Sequence, residues 1–320
     1  MKKVIALVLA LVMIFALCAC GKSGPKYTVG ICQLVQHEAL DAATQGFKDA
    51  LKEKFGDDVA FDEQNAQGDS ATCSTIVTGF VSNKVSLIMA NATPALQAAV
   101  SATDSIPVLG TSVTDYGTAL SLEVGENGTG INVSGTSDGV PGVLYAELTK
   151  QLVPDVKNVS ILYCSAEANS VVQSQDFIKA FAELDSSVVC TEYTFTDSND
   201  IQAVVTTAIE GCDALYIPTD NAAASNMTII ANVCQPAKVP VICGEENMMK
   251  NGGLATVSIS YYNIGYVCGQ MACDILANNA DVSKMPIGYA DNPVLEYNKA
   301  FAEAIGFDFD FEANGFTAVG

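Results

Sequence analysis

The chain has 320 residues, 36 of them acidic and 15 basic, for a formal net charge of −21, and 49% are hydrophobic. That length suits about two domains, each large enough for its own core. The acidity is unbroken by any basic cluster and excludes nucleic acid as a partner, because phosphate binding needs clustered Lys and Arg.

In chain order, Met1-Lys2-Lys3 and the apolar run Val4 to Leu17 read as the charged and hydrophobic regions of a secretory signal. The run stops at Leu17-Cys18-Ala19-Cys20-Gly21, which resembles the bacterial lipobox. On that reading residues 1–19 are a signal peptide and Cys20 is the lipidated first residue of the mature protein. The protein is then extracytoplasmic and held to the bacterial cell membrane by its N-terminal lipid. A plain signal peptide cut elsewhere is the alternative. Residues 20–26 form a short polar linker.

A strand over Tyr27–Leu34 opens the fold, and Leu40, Ala43, Phe47, Ala50 and Leu51 mark one face of a helix over Leu40–Leu51. A strand near Val59–Glu63, a polar turn over Asn65–Ser70 and a helix through Ile76–Phe80 follow. Leu87–Ala90 is a short buried strand running straight into a helix start, with Thr93 suited to the N-cap and Pro94 to the first helical position. Ile106–Gly110 is the next strand.

The second half repeats this plan. Asn158–Tyr163 answers the first strand, Asp176–Ala182 answers Gly46–Leu51, Gly211–Ile217 answers Asn83–Met89, and Val239–Gly244 answers Ile106–Gly110. Offsets of about 130 residues hold across three of these pairs, so one α/β unit is used twice. Between the halves, the Gly- and Asn-rich stretch Gly125–Gly135 does not lead a strand into a helix as a dinucleotide fingerprint does, and reads as a crossover or hinge. Further crossovers are expected after Thr256–Ser260, ahead of a helix over Asn263–Leu276, and near Tyr289–Pro293. The expected architecture is α/β: two doubly wound, mostly parallel sheets joined by three crossovers. The lobes comprise residues 27–134 plus 262–290, and 135–261 plus 291–320.

Of the 11 cysteines, nine remain once Cys18 and Cys20 are set aside, and most sit in apolar runs such as Val29–Cys32 and Val239–Cys243. They read as buried thiols rather than disulfides. No CxxC or Cys/His spacing of a zinc site occurs and His37 is the one histidine, so no metal or cofactor is implied.

Ligands of open parallel sheets bind beyond the carboxyl ends of the strands. The polar residues there are Gln33 and His37; Thr93 and Gln97; Ser112, Thr114 and Asp115; Glu167, Asn169 and Ser170; Thr219, Asp220 and Asn221; and Glu245 and Glu246. Hydroxyls and amides dominate the first half of this set and acids enter in the second, which suits a zwitterion. Its carboxylate would meet hydroxyls and helix N–H groups, and its ammonium an acid such as Asp220. The candidate ligand-binding set is Gln33, Thr93, Gln97, Ser112, Thr114, Asp115, Asn169, Ser170, Thr219, Asp220, Asn221 and Glu246. Thr93, Ser170 and Asp220 would equally serve as caps of their own helices. His37 reads as structural, because no nucleophile or acid beside it completes a catalytic set, and Tyr261-Tyr262 read as packing for a crossover. No catalytic residue is assigned. An enzyme of two-lobed architecture and a ligand-sensing receptor partner are the rival readings.

The residues also carry a family resemblance. Gly30–Asp41, Asn65–Asp69, Ala92–Gln97, Pro107–Asp115, Leu152–Asp155, Glu167–Ser170, Pro218–Asn221 and Tyr261–Gly265 resemble, in order, the motif series of ABC-transporter substrate-binding lipoproteins of the tryptophan/tyrosine type. The resemblance implies the type 1 periplasmic-binding fold, a cleft that closes on an amino acid, and delivery to a permease with a separate ATPase. Tyr116 stands where that family usually has Pro, and the loop after Thr136 departs from its pattern. Branched-chain amino acids and small peptide-like compounds therefore stay open beside tryptophan, tyrosine and phenylalanine.

Overall fold

A computed structural model describes residues 24–290 and 293–319 of the chain. The signal peptide, Cys18 and Cys20 read from the sequence lie outside the described residues, as do positions 291 and 292 of the third crossover. Among the described residues no helix is long and apolar enough to cross a membrane.

The first lobe begins with β1 (Tyr27–Gln33), α1 (Glu38–Phe55), β2 (Val59–Asn65), α2 (Ser70–Ser82), β3 (Leu87–Asn91), α3 (Thr93–Ala102), β4 (Val108–Val113), α4 (Tyr116–Leu120) and β5 (Val133–Ser137). The chain then crosses to α5 (Gly142–Leu152), β6 (Asn158–Cys164), α6 (Ala168–Leu184), β7 (Val189–Phe195), α7 (Ile201–Ala208), β8 (Ala214–Ile217), α8 (Asn221–Ala224), α9 (Met227–Ala237), β9 (Val241–Cys243), α10 (Glu246–Gly252) and β10 (Ala255–Ser258). It returns for α11 (Tyr261–Asn278) and β11 (Gly288–Tyr289), and crosses a third time to β12 (Val294–Asn298), α12 (Lys299–Ile305) and β13 (Thr317–Val319).

Two sheets result, ordered β11-β5-β4-β3-β1-β2 and β13-β12-β10-β9-β8-β6-β7. Every pairing is parallel except β10 with β12. β1, β3 and β4 hold the same places in the first sheet as β6, β8 and β9 in the second, so the internal repeat is a repeat of strand order. All five residues of β3 are buried, as expected of a central strand covered by helices on both faces.

The helix face expected from Leu40, Ala43, Phe47, Ala50 and Leu51 is buried in α1, which packs along α11. Gly46 and Gly265 set that approach. A Cβ on Gly46 would collide with the Tyr262 carbonyl, and one on Gly265 with the Ala43 carbonyl, so neither position accepts a side chain. Close packing here fixes the helix that enters the first lobe directly from a crossover.

Two local expectations change. Ala92, with φ of 89°, takes the N-cap position of α3, and Thr93 is its first helical residue. The segment around 125–135 is not all crossover: its end is β5, which lies wholly in the first sheet, so the first lobe runs to Ser137 and the chain crosses at 138–141. Val133-Ser-Gly-Thr-Ser137 has no apolar alternation because its hydroxyls are satisfied inside the protein. Ser134 Oγ donates to Met285 O at 2.8 Å, Thr136 Oγ1 to Ile264 O at 3.1 Å, and Ser137 Oγ to Thr114 O at 2.9 Å. All nine described cysteines are free thiols, six of them buried.

Candidate functional site

The carboxyl ends of the two sheets face each other, and the hinge-side cavity left between them is small, about 10 Å³. The first lobe contributes His37 and Leu40 at the start of α1, and Ser112 and Thr114 at the end of β4. Asn169 of α6, Thr219, Asp220 and Asn221 between β8 and α8, and Glu245 after β9 line the other side. Asp138 and Tyr261 come from the two described crossovers.

Each buried acid here is fixed by donors. Asp220 caps α8, accepting from Ala223 N and Cys164 N at 2.7 Å each. Glu245 caps α10, accepting from Asn247 N at 2.7 Å and Met248 N at 2.5 Å. Asp138 accepts from Thr114 Oγ1 at 2.9 Å and from the Tyr261 hydroxyl at 2.8 Å, which ties the two crossovers together. Burial, followed by the neighbouring Glu167 charge, raises the Asp220 carboxyl above its ordinary range. Burial pushes Glu245 up to about 7 and raises Asp138. Three acids share one cavity whose lining contains no Lys or Arg, so a cation is the complementary guest.

The remaining polar groups point the same way. Asn221 donates its amide to Glu167 Oε2 at 2.6 Å, which turns Asn221 Oδ1 toward His37 Nε2 at 3.2 Å, across the two lobes. Burial lowers the His37 pKa against the opposing effect of Asn221, so the ring is neutral. With the proton on Nε2, Nδ1 is a buried acceptor without a partner. Asn169 spends its amide nitrogen on Thr219 O at 2.8 Å, and its Oδ1 is likewise unpartnered. Ser112 Oγ is buried without a partner on a residue held at φ of 53°, a left-handed backbone that Ser rarely adopts. The cavity thus offers surplus acceptors and one free hydroxyl.

Six of the twelve sequence candidates line this cavity: Ser112, Thr114, Asn169, Thr219, Asp220 and Asn221. The other six do not, for identifiable reasons. Gln33 is engaged within the first lobe, donating to Val35 O at 2.9 Å and Asp41 Oδ1 at 2.7 Å. Thr93 is buried at the first turn of α3, away from the lining. Gln97 faces outward and donates to Ala119 O at 3.1 Å. Asp115 is exposed and caps α4 through Thr118 N at 2.6 Å. Ser170 donates to Thr219 O at 3.2 Å, one shell behind the lining. Glu246 pairs with Lys250 one turn along α10, and its neighbour Glu245 faces the cavity instead.

His37 and Tyr261, read from sequence as structural, both reach the cavity. Asp138 was missed altogether. It follows a strand without apolar alternation, so the rule of looking beyond strand ends had no strand to apply to.

Fold and site together define a two-lobed, cleft-forming binding protein of the type 1 periplasmic-binding fold. The chain belongs to the ABC transporter substrate-binding protein family, which it matches over residues 28–310. It is 36% identical over 283 residues to a tyrosine-binding protein of Clostridioides difficile, covering 87% of this chain and 80% of that one. An ABC domain from Streptococcus pneumonia solved in complex with L-Trp is similar at 31% identity and a TM-score of 0.85, covering 92% of this chain and 99% of that one. A ligand-free, open substrate-binding protein with adhesive properties from Clostridium difficile is 37% identical but has a TM-score of 0.69, at 92% and 99% coverage. Higher identity with lower superposition means that the lobes here stand closer to the arrangement of the L-Trp complex than to the open one. The bridge from His37 to Asn221 fits a shut cleft.

Proposed function

We propose that this protein is the extracytoplasmic receptor of an ABC importer, anchored by lipid on Cys20, and that it closes on an aromatic amino acid. Tryptophan, tyrosine or phenylalanine then passes to a permease powered by a separate ATPase. The observation that carries the reading is the facing of unpartnered acceptors and buried acids across the two lobes, with no protein cation among them. The ligand ammonium supplies the missing charge. The two lobes contact it together only when shut, so binding stabilises the closed form. Named relatives that bind tyrosine or hold L-Trp support an aromatic cargo.

Isothermal calorimetry of the purified mature protein against the standard amino acids tests the ligand class. One of the three aromatic amino acids should bind at a single site, and silence from all three removes the aromatic assignment. Mass spectrometry of the membrane fraction tests the anchor: a lipid adduct on Cys20 is expected, and an unmodified Cys20 in the mature protein contradicts it.

A further inference from the structure

A helix leaves its first N–H groups without intrahelical partners, and a polar residue just before the helix commonly supplies the missing acceptor. Asp69, Asp115 and Asp220 do so for α2, α4 and α8. α1 departs from this pattern. His37 holds its N-cap position with extended backbone, φ −155° and ψ 162°, but the side chain caps nothing. Its ring is turned across the cleft to Asn221 instead.

The acceptor that α1 lacks comes from the other lobe. Asn247, the second residue of α10, meets Glu38 Oε2 and Ala39 N at 2.9 Å each, and both of its amide atoms are satisfied when the nitrogen faces the carboxylate and the oxygen faces the backbone N–H. Asn247 Oδ1 thus accepts from the second residue of α1, an N–H that an N-cap side chain would take, and Nδ2 donates back to the first-turn carboxylate. The backbone N of the same residue donates at 2.7 Å to Glu245, the acid that caps α10 and lines the cavity. One residue therefore joins an acid of the binding cavity to the helix on the opposite jaw.

Resting on the reading of a cleft that shuts on an amino acid, we infer that Asn247 caps α1 in trans: the second lobe completes the first turn of α1 only when the cleft is shut, so Asn247 and Glu38 form a latch that retains the ligand without touching it. When the lobes part, the Ala39 N–H and the Glu38 carboxylate return to water and the latch contributes nothing. Closing restores both bonds together, beside the bridge from His37 to Asn221. Asn247 and Glu38 lie outside the cavity lining and act as positioning residues. Their effect falls on release rather than capture, because the latch exists only after closure.

The test is stopped-flow binding of L-tyrosine and L-tryptophan to the full mature protein. Asn247→Asp sets a carboxylate against Glu38 and should speed dissociation about fivefold, a loss of the size a cap is worth, with association within about twofold of wild type. Adding Glu38→Gln to Asn247→Asp restores a donor facing an acceptor with their places exchanged, and should return dissociation to within about twofold of wild type. That rescue sustains the latch, since a merely structural role for the two residues gives additive losses. Dissociation unchanged by Asn247→Asp, or no slower in the double variant than in the single, overturns it. If Asn247→Asp does not fold, hydrogen exchange in wild-type protein decides: the Ala39 amide should exchange about fivefold more slowly, or slower still, with saturating ligand, and unchanged exchange overturns the latch. Wild-type protein that binds neither amino acid removes the amino acid reading alone. The latch is then judged by Ala39 exchange without ligand, faster in Asn247→Ala if the cap is supplied in trans and equal to wild type if it is not.

Discussion

The two lobes repeat one strand order but finish their facing rims in opposite ways. In the second lobe each acid at a strand end is answered by backbone N–H groups: Asp220 by Ala223 N, Glu245 by Asn247 N and Met248 N, Glu167 by Asn221 N and Ala222 N. These acids are held by backbone donors and the lobe's negative charge is in surplus, while Asn169 Oδ1 stays without a partner. The first lobe's cap at Asp115 is turned out to solvent, while Ser112 holds a buried hydroxyl without a partner on a left-handed backbone. The comparison teaches that a duplicated scaffold conserves topology and lets chemistry diverge at the strand ends. One jaw carries capped acids, the other a strained Ser112 whose hydroxyl has no partner.

The largest expected effect comes from breaking the charged jaw. Asp220→Ala removes the ammonium partner and the cap of α8 together. Affinity for the bound amino acid should fall about 100-fold, from loss of a charge-assisted hydrogen bond, and stability by about 1–2 kcal/mol, from loss of the cap. Calorimetry and chemical denaturation read the two separately.

Ser112→Gly sharpens the contrast from the other side. It deletes one neutral hydroxyl and relieves the left-handed strain, so affinity should drop by about 3–10-fold while the melting temperature holds or rises. A fall in both would show that Ser112 is structural.

The pH response separates folding from binding. Glu245 titrates near 7 in the folded protein against an ordinary 4.5, and Asp220 is raised in the same direction, both chiefly by burial. Between those limits the folded state binds more protons than the unfolded one, so stability declines as pH rises from about 4.5 to about 7 and stays at the lower level above that. Ligand binding runs the other way, because the ammonium favours ionised acids. Melting temperature without ligand should be higher at about pH 5 than at about pH 8, and affinity higher at about pH 8. Parallel trends would contradict the acids' role.

The smallest effects are expected where the sequence reading reached beyond the site. Gln97→Ala and Glu246→Gln alter residues that face outward or pair along their own helix, so affinity should stay within about twofold. A larger loss in either would redraw the lining.

Much of the fold was legible because strong local signals coincide with burial. β3 reads as a central strand from its apolar run, α1 from its buried stripe, and the doubling from offsets that turn out to match sheet positions. β5 was not legible, since Ser134, Thr136 and Ser137 look like loop residues until their tertiary acceptors are known. Asp138 was hidden with it.

At the site, nearness to a strand end identifies a neighbourhood but not a direction. Asp115 and Asp220 are both caps after strands, and only the tertiary fold turns one outward and the other into the cavity. Glu245 and Glu246 differ by one residue, but the first caps α10 and lines the cavity while the second begins the helix and pairs with Lys250. His37 reads from the sequence as structural, yet it lines the cavity. Its contact with Asn221 spans 184 residues, which no local pattern reports.

A crystal structure of the mature protein grown with L-tyrosine or L-tryptophan tests the central claim most directly. The account predicts the ligand between the lobes, its ammonium within hydrogen-bond distance of a second-lobe acid and its carboxylate turned toward Ser112. A ligand seated outside the cleft, or one with its carboxylate against Asp220, would contradict it.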